Sequence, residues 1–267
     1  MCAICGCDHP HEHVHADGTR HSHAHAHAEH HHHEHVEVEA RVLARNDAIA
    51  ERNAAWLAAR GVLAINLMGA PGCGKTSLLE RTLKERAAGS LAVIEGDQAT
   101  ANDAVRIRAA GAAVVQVNTG TGCHLDASMV ERSLRELAPS PGSVVVIENV
   151  GNLVCPALFR LGERRRVVVL SVTEGDDKPL KYPHMFRAAD LVLISKMDLA
   201  PHVDFDVASA ASNARLVNPG VAVLRLSAKT GSGLRDWTSW LERELEGLRD
   251  GAHRRVEGPG DAPRIER

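Results

Sequence analysis

Gly69-Ala70-Pro71-Gly72-Cys73-Gly74-Lys75-Thr76 fits G-x-x-x-x-G-K-[ST] and stands between an apolar run, Val62–Met68, and a helical stretch, Ser77–Glu85. Strand, glycine-rich loop and helix in that order form a phosphate cradle. Gly69, Gly72 and Gly74 let backbone N–H groups close around phosphates, with Cys73 as a small filler. Lys75 neutralises phosphate charge, the Thr76 hydroxyl is placed to ligate Mg²⁺, and Ser77 opens the helix. Outward from this loop, further apolar runs alternate with helical stretches: Leu91–Ile94, Ala113–Val117, Val144–Ile147, Val167–Val172, Leu191–Ile194 and Val221–Leu226. Runs that are apolar throughout suit strands buried on both faces, so the pattern predicts an α/β P-loop NTPase domain with a mostly parallel sheet flanked by helices.

Base identity is read at the far end of the chain. Leu191–Ile194 runs into Ser195-Lys196-Met197-Asp198, which resembles the Asn-Lys-x-Asp guanine motif. A carboxylate at Asp198 accepts from guanine N1–H and the 2-amino group, donors that adenine lacks, while the Lys196 stem covers the ring. Ser195 stands where asparagine is usual, and one contact of that motif is expected to weaken. Ser227-Ala228-Lys229, after the last apolar run, resembles a second guanine loop in which a backbone N–H meets O6. GTP is therefore the expected nucleotide. Two strand ends offer carboxylates for the Mg²⁺ side, Asp97 and Glu148, with Asp97 the preferred contact. Gly151 follows Glu148 and is placed to present an N–H near the γ-phosphate and act as a switch pivot. No glutamine follows it to orient water, which predicts slow hydrolysis.

The chain has 267 residues, 44% of them hydrophobic, enough for one core domain with appendages. Its net charge of −3 creates no field for nucleic acid or anionic membrane, and aromatic residues at 3% leave few stacking platforms. There is no signal-like apolar segment and no run approaching membrane-spanning length, so a reducing cytoplasm is expected, where cysteines are more often ligands than bridges. The reading divides the chain into a Cys/His-rich metal-binding tail at 1–39, disordered without metal, an amphipathic helix at 40–60 within a helical pattern that starts near Val36, the P-loop domain at 61–247 and a loose tail at 248–267.

Three features point to metal. Cys2, Cys5 and Cys7 form C-x-x-C-x-C, a set of soft thiolates that suits Ni²⁺ in a tetragonal plane and that Zn²⁺ would also accept. Thirteen of the 17 histidines lie in residues 1–39, mostly neutral imidazoles at neutral pH, giving capacity rather than selectivity. Cys123, His124 and Cys155 follow strands on the sheet edge that carries the phosphates. Adjacent residues 123 and 124 point in different directions, so a two-fold dimer would supply the missing ligands for nickel or zinc.

The chain resembles the HypB-type hydrogenase maturation GTPases over roughly residues 60–245. The resemblance rests on Gly69–Thr76, Gly96-Asp97-Gln98, Asn118–Leu125, Glu148–Pro156 and Ser171–Pro179. It implies GTP hydrolysis coupled to nickel delivery into [NiFe]-hydrogenase, dimerisation favoured by GTP or metal, and two partners, a HypA-type metallochaperone and the hydrogenase large-subunit precursor. It also implies a tight nickel site at Cys2, Cys5 and Cys7 and a weaker nickel or zinc site at Cys123, His124 and Cys155. The rival readings are a urease-type nickel maturation GTPase, a nickel store or buffer, and an ATP-driven metal carrier. The family as known for urease uses Cys-Pro-His, which Cys123-His124 with a remote Cys155 does not match.

Overall fold

The computed structural model describes residues 13–14, 20–21, 28–86, 90–97, 102–120, 122 and 124–256, with side chains described from residue 40 to residue 250. Cys2, Cys5 and Cys7, and Cys123, lie outside the described residues. Seven strands form one sheet: β1 (Leu63–Gly69), β2 (Leu91–Asp97), β3 (Ala113–Asn118), β4 (Val144–Glu148), β5 (Arg165–Ser171), β6 (Leu191–Ser195) and β7 (Ala222–Arg225). Their order is β3-β2-β4-β1-β5-β6-β7, and every neighbouring pair is parallel. Each expected strand is present. Several run further than the apolar runs suggested: β2 continues through Glu95 and Gly96 to Asp97, β4 ends on Glu148 and β6 on Ser195.

The period-two alternation of β1 sorts its side chains to two faces. Leu63, Ile65 and Leu67 join Val93, Val146, Val169 and Leu193 beneath helices α2 (Lys75–Glu85) and α9 (Leu234–Val256), which supply Leu78, Leu79, Trp237 and Leu241. On the opposite face Ala64, Val145 and Ile147 pack against α1 (Ala28–Ala59) and α4 (Ala127–Leu137) through Leu57, Val130 and Leu134. Met68, Val168 and Ile194 meet α7 (Pro183–Arg187) and α8 (Val207–Val217) through Met185, Phe186 and Ala211. The remaining helices are α3 (Asn102–Ala109), α5 (Cys155–Leu158), α6 (Lys178–Lys181) and a 3-10 turn at Met197–His202.

Local chemistry starts and stops these helices. Asp126 caps α4 by accepting from Met129 N at 2.7 Å, and Asp206 caps α8 by accepting from Ala208 N at 2.8 Å and Ser209 N at 3.1 Å. At the other end of α4, Ala138 adopts φ 44° and its N–H closes onto the Leu134 carbonyl. Two expected boundaries are corrected. Helix α1 begins at Ala28 rather than near 36–40, because the stretch from Ala28 to Glu39 contains no glycine or proline to stop it. Helix α9 continues to Val256 instead of giving way to a tail at 248; Gly247 and Gly251 lie within it, and the prolines, Pro259 and Pro263, come only after it in the sequence.

Trp237 anchors α9: it is fully buried and its indole N–H donates to the Thr82 hydroxyl of α2 at 2.9 Å. Trp237→Ala removes that bond and leaves a cavity between α9 and the sheet, and is expected to cost about 3–5 kcal/mol. Urea unfolding of the two proteins checks this; a loss under about 1 kcal/mol would mean that α9 is dispensable to the core.

Candidate functional site

Three loops leave the C-terminal edge of the sheet around one cavity of about 510 Å³, lined among others by Gly74, Lys75, Thr76, Glu95, Asp97 and Glu148. The first loop joins β1 to α2. Gly69 passes so close to β5 that a Cβ there would stand 2.5 Å from the Val169 carbonyl, so only glycine fits. Gly74 is the N-cap of α2 at φ 100°, with no side chain capping the helix and no acidic residue in its first turn. The unpaired N–H groups of that helix start are thus left for an anionic ligand. Lys75, although buried, donates back to the Gly69 and Ala70 carbonyls, each at 3.3 Å. Cys73 is buried beneath the loop, and burial pushes its thiol pKa up, so it is a packed thiol and not a reactive thiolate.

Glu148, at the end of β4, is not a solvated strand cap. It is buried and accepts from the Thr76 hydroxyl at 2.8 Å. Loss of water raises its pKa to about 7 despite the opposing pull of Lys75 and the Thr76 bond. Its register neighbour on β2 is Glu95, a residue that sequence reasoning had not singled out. Glu95 is also buried, and desolvation, then the charges of Glu148 and Asp97, lift its pKa to about 8. One oxygen of each carboxyl, Glu95 Oε2 and Glu148 Oε2, is buried with no hydrogen-bond partner among the described residues. Asp97 lines the same cavity. Orphaned buried carboxyl oxygens beside a threonine hydroxyl and a lysine fit a divalent cation with its phosphate oxygens.

The base side is a second, smaller cavity of about 250 Å³, sharing Gly74 and Ser77 with the first and lined by Lys196, Asp198, Ala228 and Lys229. Lys196 is held in the left-handed region at φ 57°, and its Cε lies 3.9 Å from where a Gly74 Cβ would be. Ser195 does not leave its motif short of a bond to the phosphate loop. Its buried hydroxyl donates to the Cys73 carbonyl at 2.7 Å, tying the two loops together. Ser227 contributes more than a backbone: its hydroxyl donates to Asp198 Oδ1 at 2.6 Å and orients the carboxylate toward the base cavity.

The third loop, from Asn149 to Cys155, presses on the first. A Cβ on Gly151 would stand 2.9 Å from Pro71, so the pivot and the phosphate loop touch back to back. Asn149 is buried and donates to Asn66 Oδ1 at 3.2 Å, while its own Oδ1 accepts from Val150 N at 3.0 Å and Leu125 N at 3.3 Å. The residue after Glu148 therefore touches the residue after His124. Cys155 is buried at the start of α5, and the His124 ring stacks on Phe159 with centroids 4.0 Å apart. Burial lowers the His124 pKa against the smaller opposing effect of Asp126, which keeps the imidazole neutral and able to coordinate. Among the described residues no cluster of three potential metal ligands is assembled. No helix among the described residues is long and apolar enough to cross a membrane.

Residues 63–225 match the family model for the CobW/HypB/UreG nucleotide-binding domain, a family of P-loop GTPases. The hydrogenase maturation factor HypB of Rhizobium leguminosarum bv. viciae is 56% identical over 202 residues, covering 75% of this chain and 68% of that protein. The chain belongs to the HypB family of hydrogenase maturation factors. HypB of Escherichia coli K12 is 53% identical over 204 residues, covering 76% of this chain and 70% of its own. Two crystal structures share the fold at a TM-score of 0.71: HypB from Archaeoglobus fulgidus, 41% identical over 76% of this chain and all of that one, and HypB from Helicobacter pylori in complex with nickel, 38% identical over 78% and 97%.

The raised carboxyl pKa values link stability to pH. The folded protein keeps protons on Glu95 and Glu148 that the unfolded chain has already lost, so stability falls as pH rises from the ordinary 4.5 toward about 8 for Glu95 and about 7 for Glu148. Thermal melts without nucleotide or Mg²⁺ should show this decline, and Glu95→Gln, a neutral isostere, should flatten it and raise the midpoint at the alkaline end. An unchanged slope in the variant would remove Glu95 as its source.

Proposed function

We propose that this protein hydrolyses GTP to drive nickel delivery into a [NiFe]-hydrogenase precursor, as a GTP-dependent metallochaperone. The observation that carries the reading is the unbroken run from Thr76 through Glu148 and Asn149 to Leu125, which joins the phosphate site to the segment bearing His124. Lys75 releases the loop carbonyls to hold the β- and γ-phosphates, and the N–H groups at the start of α2 accept the remaining charge. Thr76, Glu148 and Asp97 would hold Mg²⁺, which neutralises phosphate charge when bound. Gly151 brings its N–H to the γ-phosphate edge beside Pro71. Guanine is selected by Asp198, fixed by Ser227, with the Lys196 stem over the ring and the Ser227–Lys229 loop at O6. Without a glutamine to orient water, turnover is slow.

Nickel is cargo in this reading. Cys2, Cys5 and Cys7 form the tight site, the histidine tract adds capacity, and Cys123, His124 and Cys155 form a nickel or zinc site coupled to nucleotide. That the Helicobacter pylori relative is solved in complex with nickel supports nickel as the cargo. A homodimer favoured by GTP or metal, a HypA-type metallochaperone and the hydrogenase large-subunit precursor are the partners, and the cytoplasm is the compartment.

Two measurements test the proposal. Full-length protein with Mg²⁺ should turn over GTP and not ATP, and Lys75→Ala should lower turnover at least about 100-fold while nickel still binds at the tail; ATP preference would overturn the base assignment. A GTP analogue should change nickel affinity in protein whose tail cysteines are alanine, and nickel should change analogue affinity by the same factor. Equal nickel affinity with and without the analogue would show that the core metal site is not wired to nucleotide.

A further inference from the structure

Two asparagines on α1 have no place in the nucleotide site, yet both are buried: Asn46 is 6% and Asn53 3% exposed. They stand two turns apart, and among the described side chains of this helix the other buried positions are apolar, Ala50 and Leu57. Each joins the same two loops. Asn46 Oδ1 accepts from Ala127 N at 2.9 Å and its Nδ2 donates to the Arg160 carbonyl at 2.8 Å. Asn53 Nδ2 donates to the Ala127 carbonyl at 2.9 Å and the Leu161 carbonyl at 3.0 Å. Ala127 follows His124 at the start of α4, and Arg160 and Leu161 follow Cys155 past the end of α5. Backbone reinforces the junction: a Cβ on Gly162 would lie 2.5 Å from Asn53 Cβ, so this turn is pressed flat against α1. The His124 ring completes it by stacking on Phe159.

A buried amide costs free energy unless its donors and acceptors are satisfied, and here both asparagines are satisfied by backbone groups of two loops that an apolar residue would leave unpaired. What these four bonds do is fix the segment that carries His124 relative to the segment that carries Cys155. They are made by a third element, one that continues toward the Cys/His-rich end of the chain. We propose that Asn46 and Asn53 are positioning residues that hold His124 and Cys155 in register for metal binding. The proposal rests on the reading that His124 and Cys155 are metal ligands. It assigns α1 the role that outer-shell partners play at metal centres, setting ligand geometry without touching the ion.

The test uses the full chain with Cys2, Cys5 and Cys7 changed to alanine and Co²⁺ as probe. Thiolate-to-cobalt absorption then reports cysteine coordination in the core and is silent to the histidine tract. Cys155→Ala should abolish or strongly reduce the band, which establishes the site itself. Asn46→Ala and Asn53→Ala should each weaken cobalt affinity by about 10–100-fold. Asn46→Asp separates the two arms: it keeps an acceptor for Ala127 N but loses the donor to Arg160, and should weaken binding too; it also carries the test if the alanine variant fails to fold. Trp237→Phe, which loses a buried bond on the opposite sheet face, serves as a destabilised control and should bind cobalt like its parent. Parental affinity in the asparagine variants, with the band lost in Cys155→Ala, would overturn the clamp and leave the site standing. A band that is absent from the parent, or that survives Cys155→Ala, would overturn the metal reading and the clamp with it.

Discussion

Two carboxyl groups held out of water beside a lysine and a threonine are the constraint around which this protein is organised. Glu95 and Glu148 sit on adjacent strands in register, each with an oxygen that no described group satisfies. Loss of water disfavours the charged form of each and raises both pKa values, and at Glu95 the charge of Glu148 adds to the effect. The arrangement becomes favourable when positive charge arrives. Lys75, engaged with loop carbonyls, supplies part of it, and the cavity is shaped for a ligand that brings a cation with its phosphates. A cation bound there would relieve the desolvation of these carboxyls and displace their protons.

The relief has a route outward. Central strand β1 carries Asn66, a polar residue buried in an otherwise apolar strand, and through it Asn149 is fixed at the edge of the sheet. Asn149 sits directly after Glu148 and reaches both Val150 and Leu125. A shift at Glu148 would carry the backbone of Asn149 with it and load the bond to Leu125. Gly151 and Pro71 are in such close approach that the loop cannot move toward the phosphates without displacing the phosphate loop itself. Packing this tight favours discrete alternatives over gradual deformation, which is what a switch requires.

Much of this was legible in the amino-acid order. The seven apolar runs mark the strands because a sheet covered on both faces needs apolar side chains on both, and Gly69–Thr76 marks the loop because phosphate binding needs glycine, lysine and threonine at those spacings. The strand ends were harder to read. Glu95, Glu148 and Ser195 are polar, so hydropathy stops short of them, yet backbone pairing carries the strands through them into the site. Glu95 escaped notice for the same reason: a carboxylate at a strand end reads as solvated, and only the neighbouring strand and loops bury it. Asn46 and Asn53 read as the polar side of a helix, because the carbonyls they meet come from segments distant in the chain.

The fold therefore gives the two kinds of expected metal site different physical standing. On the proposed reading, ligands in the tail would gather metal by concentration and softness alone, whatever the nucleotide state. His124 and Cys155 sit on segments bounded on one side by Asn149 and on the other by α1. On the proposed reading nucleotide would reach the first boundary through Glu148, and the chain's own amino-terminal helix forms the second. If geometry at these two residues sets metal affinity, that affinity is a joint property of phosphate occupancy and of α1, and linkage requires metal to act back on both. Any partner that pulls on α1 would then alter metal release without contacting either the nucleotide or the ion.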